Sequence, residues 1–224
     1  MKKLVTLLTL VLVVFGLSAA TVYVGGEVGL NTNSIIAGKG YSGYTFTPSL
    51  GCSLSVPVVV EFTPSLGLQT GVTYVKKSYD YDKTLKMKGQ EETLLKYNCE
   101  NGFVEIPVAF RYSLNIAGSR WNAFATVGGF VGFWTDGERT GEAFGFTSGR
   151  SVDEKTDLSL YNRFQAGVSA SAGVDVEFGT MEAYLSFGYS LTLTSLNKSQ
   201  KHASYPVHNS TFTVAAGLLW GIDK

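Results

Sequence analysis

From Phe164 to Phe178 every second residue is apolar: Phe164, Ala166, Val168, Ala170, Ala172, Val174, Val176 and Phe178. Between them stand Gln165, Gly167, Ser169, Ser171, Gly173, Asp175 and Glu177. Side chains of an extended chain alternate between two faces, so this pattern is a strand with one bulky apolar wall and one small polar wall. Two further segments repeat it. In Glu182 to Thr194 the bulky face is Ala183, Leu185, Phe187, Tyr189, Leu191 and Leu193, against Glu182, Tyr184, Ser186, Gly188, Ser190, Thr192 and Thr194. In Thr211 to Ile222 it is Phe212, Val214, Ala216, Leu218, Trp220 and Ile222, against Thr211, Thr213, Ala215, Gly217, Leu219 and Gly221.

Five more segments fit the same pattern: Val22 to Leu30, Thr47 to Val56, Phe62 to Tyr74, Val104 to Leu114 and Ala123 to Trp134. The last is ambiguous, because Gly128, Gly129 and Gly132 blur which face is bulky. Each segment is close to the roughly 9 to 11 tilted residues that a membrane strand needs, and an even number of strands closes a barrel. The expected fold is therefore all-β, an eight-stranded antiparallel up-and-down transmembrane β-barrel. The connections alternate as such a barrel requires, short on the periplasmic side and long outside. Pro57 to Glu61, Asn115 to Arg120 and Gly179 to Met181 are the short ones; Asn31 to Phe46, Val75 to Phe103, Thr135 to Asn162 and Ser195 to Ser210 are the long ones.

A soluble lipocalin-type barrel has the same alternation with its faces exchanged, and its exterior would carry dispersed Lys and Glu. Only 16% of this chain is charged, while it holds 26 Gly, 14 Phe and 12 Tyr, which is too little charge for a wetted surface of this size. The balance of 18 basic and 18 acidic residues offers no field for nucleic acid, so no such partner is expected.

Lys2 and Lys3, the apolar run Leu4 to Phe15 and the small residues Ser18-Ala19-Ala20 have the layout of a secretory signal, so residues 1–20 are expected to be a signal peptide and 21–224 the barrel domain. The apolar run is shorter than the roughly 20 residues of a membrane helix. Export places the chain in the bacterial outer membrane, with its lipid and the barrel-insertion machinery as partners, and a monomer is expected. Cys52 shares the bulky face with Leu50 and Leu54, whereas Cys99 continues the opposite face two strands away, so the two are expected not to pair.

The small face carries Glu27, Glu105, Arg111, Asp175 and Glu177, which would put a charge network inside a narrow lumen. Unpaired charge there is costly, so these groups are expected to pair and to plug the barrel rather than to form a selectivity constriction. Trp121 and Trp220 at periplasmic strand ends and Trp134 at an external one are expected to be interfacial aromatics. Pro107 cannot donate to a ladder, which predicts a local bulge or kink.

His202 and His208 share the last external stretch with Ser199, Ser204 and Ser210, and Ser195 to Lys198 spells Ser-x-x-Lys, but no orienting third group or companion motif accompanies them. Both histidines read as loop residues, and no catalytic, cofactor-binding or metal residue is expected. Lys76, Lys77, Lys83, Lys86 and Lys88, interleaved with Tyr79, Asp80, Tyr81 and Asp82, read as a solvated hairpin above the membrane. Any extracellular ligand would be met through such loops.

The segment Gly102-Phe103-Val104-Glu105-Ile106-Pro107-Val108-Ala109-Phe110-Arg111-Tyr112 resembles the aromatic-x-Glu-Ile-Pro signature of the PorT-like outer-membrane β-barrel family. Leu66 to Tyr74 is similar to that family's third strand and Phe164 to Glu177 to its sixth. The resemblance implies an eight-stranded barrel in a Gram-negative-type outer membrane, in a family whose members mostly lack an assigned activity, and by its namesake an accessory role in protein export. Asp223 and Lys224 depart from the pattern, because they follow Ile222 where a terminal aromatic is usual. The function expected from the residues is a structural or surface-interaction barrel with a mostly plugged lumen, with a small-solute porin-like channel as the alternative and a lipid-modifying enzyme behind it.

Overall fold

The structure, a computed structural model, describes residues 21–38, 43–87, 90–144, 149–197 and 206–222. Its strands are β1 (Thr21–Ala37), β2 (Tyr44–Thr63), β3 (Leu66–Met87), β4 (Gln90–Asn115), β5 (Trp121–Phe144), β6 (Gly149–Lys155), β7 (Phe164–Phe178), β8 (Met181–Thr192) and β9 (Val207–Gly221). All pairings are antiparallel. The sheet order β4-β3-β2-β1-β9-β8-β7-β5 closes through β4–β5, giving a ring of eight. The ninth strand, β6, folds back on the outer part of β5 and stands outside the ring.

The alternation decides which way each residue faces. Leu54, Val72, Val108, Phe110, Val127, Val168 and Leu218 project outward and are exposed, Phe110 by 70%. No helix among the described residues is long and apolar enough to cross a membrane. Closure leaves no unpaired edge in the ring, the condition for strands to stand in hydrocarbon.

Several boundaries differ from those read along the sequence. β2 continues through Pro57 to Thr63, and the tight turn is Pro64–Ser65 rather than Pro57 to Glu61. Pro57 fits because the β1–β2 ladder is interrupted there, between Val24↔Val58 and Glu27↔Ser55, opposite Gly25 and Gly26. Pro107 behaves likewise. The β3–β4 register is the same at Thr70↔Val108 and Thr73↔Glu105, so no bulge forms; the ladder is open opposite Gly71, and the Thr70 hydroxyl donates to the Pro107 carbonyl at 2.8 Å. A proline can sit inside a closed wall when the missing donor falls on a gap.

The long external connections are largely strand. β3 and β4 run 22 and 26 residues and form the hairpin expected from the Lys- and Tyr-rich stretch. β9 begins at Val207, so His208 is a strand residue opposite Ile36 and not a loop residue. Two apolar clusters fill the lumen: Tyr23, Val59, Phe124, Tyr184 and Leu219 toward the periplasmic end, and Val75, Phe103, Trp134, Leu196 and Val207 toward the outside.

Candidate functional site

The inward face is the candidate site, and its groups fall into tiers set by strand register. In the periplasmic tier the Arg111 guanidinium meets Asp175 at 2.7 Å, and both side chains are 2% exposed. Arg111 also donates from Nε to Ser113 Oγ at 3.3 Å, and its guanidinium lies 3.9 Å from the centre of the Phe124 ring. Asn122 donates to the other oxygen of Asp175 at 2.8 Å and to Glu177 at 3.1 Å. Below this knot a cavity of about 500 Å³ opens at the periplasmic mouth, lined by Glu61, Glu177 and Glu182 among others.

One tier up, the Tyr184 hydroxyl donates to Glu27 at 2.7 Å, beside a smaller cavity of about 170 Å³ walled by Ser, Thr and Ala. Higher still, Lys77 pairs with Glu105 at 2.6 Å, with its ammonium 5.1 Å from the Phe103 ring centre and 5.3 Å from that of Phe130. The five charges picked out along the sequence thus divide among separate partners: Arg111, Asp175 and Glu177 come together, while Glu27 and Glu105 stand apart from them. Glu182 and Lys77 are among the lumen charges that were missed. Glu182 lies on the small face of its own segment, and its parity was signal enough; Lys77 was counted with a loop, although it continues the inward parity of Gln69 and Thr73.

Trp121 and Trp220 project from the outer wall beside the periplasmic turns, each 51% exposed. Trp134 does not join them. Its side chain is 2% exposed and turned into the lumen against Phe103 and Tyr161, at ring-centre distances of 5.4 and 5.1 Å. Its indole N–H donates to the Asp136 carbonyl at 2.7 Å. The β4–β5 register shifts where Gly102 pairs Asp136 and Phe103 pairs Trp134, so Thr135 is an extra residue that changes the facing of everything beyond it.

Above Trp134 the strands leave the apolar band and enclose an external mouth. Tyr44 and Phe46 from β2, Tyr79 and Tyr81 from β3, Arg139 from β5, Tyr161, Leu196 and Val207 line a cavity of about 170 Å³ there. The rings of Tyr44, Phe46, Tyr79 and Tyr81 lie 6.2 to 6.4 Å apart in successive pairs. Arg139 donates to the Tyr161 hydroxyl and stands 5.6 Å from that ring's centre. Burial pushes the Tyr81 hydroxyl up to about 12 and the neighbouring Cys99 thiol up to about 11, so neither ionises near neutral pH.

Cys52 is on the exposed outer wall and Cys99 is buried inside; both are free thiols. His208 faces outward, and His202, Ser199, Ser204 and Lys198 lie outside the described residues, as do residues 1–20. Among the described residues no group of His, Cys, Asp and Glu is arranged to hold a metal.

No curated protein sequence matches the chain. Among solved structures it is similar to the outer membrane protein OprG from Pseudomonas aeruginosa, at 10% identity and a TM-score of 0.51, covering 94% of this chain and 99% of that one. It is also similar to Neisserial surface protein A, at 10% identity and a TM-score of 0.47 over 91% and 99% of the two chains. A third is Ail, the attachment invasion locus protein of Yersinia pestis, in complex with the heparin analogue sucrose octasulfate, at 10% identity and a TM-score of 0.42 over 89% and 99%. At these identities the likeness concerns the fold. A family model describing an outer membrane protein beta-barrel domain matches residues 18–197. With a closed eight-stranded ring, an apolar outer wall and that match over most of its length, the chain is a bacterial outer-membrane protein and belongs to the outer membrane protein beta-barrel domain family.

Proposed function

We propose that this barrel is a non-enzymatic outer-membrane protein whose wall is structural, whose lumen is closed to solutes, and whose external strand extensions and loops carry its interactions. The observation that carries the reading is the Arg111–Asp175 pair, which packs inside the lumen with Phe124 and Tyr184 and stands below a second inward cluster of Lys77, Glu105, Phe103 and Phe130 on β3, β4 and β5. An eight-stranded ring leaves room for side chains and little else. Lipid on the outer wall and the insertion machinery are the partners in this reading, and the absence of an open edge in the ring supports a monomer. The aromatic-x-Glu-Ile-Pro segment around Pro107 supports a place in the PorT-like branch of the family, and with it an accessory role in export.

Purified protein refolded in micelles and added to planar bilayers is expected to show heat-modifiable gel migration and no stable single-channel current. Steady currents in the wild type would overturn the closed-lumen reading. A small-solute pore is the second reading, favoured by the 500 Å³ acidic cavity at the periplasmic mouth; it requires currents whose size changes in Arg111→Ala.

A further inference from the structure

We propose that the external mouth is a binding site for a small aromatic carboxylate, held with its carboxylate on Arg139 and its ring among Tyr44, Phe46, Tyr81, Trp134 and Tyr161. The inference rests on the reading of a closed lumen with interactions on the outer face, and names the ligand class that one part of that face would take.

Charge selects an anion. Among the described residues, the two inward cations lower in the barrel each have a carboxylate, Lys77 at 2.6 Å and Arg111 at 2.7 Å, and Lys83 at the mouth lies over the Tyr44 ring, 5.2 Å from its centre. Arg139 has no carboxylate: among the described residues its partner is the Tyr161 hydroxyl, and no ion pair to it forms. A guanidinium has five N–H donors in a planar fork, and a carboxylate is the group that matches two of them at once. The surrounding rings lower the local polarity, which strengthens such a pair and makes an uncompensated cation there costly.

Shape selects one ring. The cavity holds about 170 Å³, below the roughly 300 Å³ at which sites for drug-sized molecules begin. Its walls are aromatic faces and edges, suited to offset or edge-to-face contact with a further ring at centre separations of about 4.5 to 7 Å. Its floor is Trp134, Leu196 and Val207, part of the outer apolar plug, so a ligand entering from outside stops there. The same features exclude other classes: Arg139 repels cations, and the volume excludes a saccharide chain.

Benzoate is the probe, titrated by calorimetry into the refolded full chain in micelles, with benzyl alcohol and benzylamine as the neutral and cationic ring controls. Saturable benzoate binding is expected, weakened about 10- to 100-fold in Arg139→Gln, the scale of one lost charge-assisted hydrogen bond. Benzyl alcohol should bind no better to the wild type than benzoate does to that variant, and benzylamine should not saturate. Tyr161→Phe removes the hydroxyl that occupies Arg139 and keeps the ring, so it should bind benzoate at least as tightly as wild type. Equal benzoate affinity in wild type and Arg139→Gln, or no saturable binding in protein that shows heat-modifiable migration, overturns the proposal. Should Arg139→Gln lose that migration, the Tyr161→Phe result and the ranking of the three probes on wild type decide alone. Bilayer currents report separately: a silent barrel that binds no benzoate refutes the site and leaves the closed lumen standing, whereas a conducting one refutes the closed lumen.

Discussion

Arg111 is held by an anion, a hydroxyl and a ring face, all inside the wall. Removing one partner of a fully buried pair leaves the other charge uncompensated, which costs about 3 to 5 kcal/mol. Arg111→Ala is therefore expected to lower the urea midpoint of the refolded barrel sharply, and the double variant Arg111→Met with Asp175→Leu should recover much of the loss. Additive losses in the double variant would mean that the pair is not coupled. Inward parity put Arg111 and Asp175 in one lumen network along the sequence, but it did not choose Asp175 over the other inward carboxylates as the partner of Arg111. The partnership of Glu105 with Lys77 was not legible, since a lysine beyond the apolar band looks like a loop charge until the strand is known to continue past the membrane. Cys99 makes a second residue-level test. A thiol lifted to about 11 by burial is almost wholly protonated at pH 8, and the thiolate is the reactive form. In a Cys52→Ser background, iodoacetamide should leave Cys99 unmodified at pH 8 while the barrel is folded and alkylate it once denatured; rapid labelling of the folded barrel would place the thiol outside the wall.

Between neighbouring strands the lumen is filled by a repeated device that pairs an aromatic residue with a glycine directly across the ladder. Phe130 faces Gly167, Phe124 faces Gly173, Tyr184 faces Gly217 and Tyr23 faces Gly221. A Cβ on Gly217 would stand 2.5 Å from the Tyr184 ring, so the ring covers space that only glycine leaves. The small inner face is thus small in order to receive large side chains from the next strand. Gly217→Ala should destabilise the barrel by about 1 to 3 kcal/mol, the usual range for overpacking, and should detach Tyr184 from Glu27. Gly26→Ala, where a Cβ meets nothing within 4 Å, should stay within about 0.5 kcal/mol. Comparable losses at both sites would indicate a backbone effect and not ring packing. The device also explains what was illegible in β5. Both faces of that strand mix large and small residues, Phe124, Gly128, Phe130 and Trp134 inward against Ala125, Val127, Gly129 and Phe133 outward, so bulk cannot tell the faces apart. One extra residue at Thr135 then hides the facing of everything above it.

At the scale of the whole molecule the eight strands are longer than the membrane requires. About 9 to 11 residues suffice for a tilted strand, so at least half of β3 and β4, at 22 and 26 residues, stands beyond the apolar band. The exposed outer wall changes chemistry at that border: Val72, Val108, Val127 and Val168 lie below it, and Lys76, Glu100, Asp136 and Thr140 above it. A charge added to the outer wall should therefore cost according to depth. Val108→Arg puts a guanidinium near the middle of the band, where about 2 to 4 kcal/mol is expected. Thr140→Arg puts the same group on the same outer face of the projecting β5, where water solvates it and the effect should stay within about 0.5 kcal/mol. Refolding into lipid vesicles with urea titration of both variants measures the difference directly. A soluble barrel, with water on that wall, would accept either arginine at similar cost; a difference of several kcal/mol can arise only if hydrocarbon covers the lower wall and ends before Thr140.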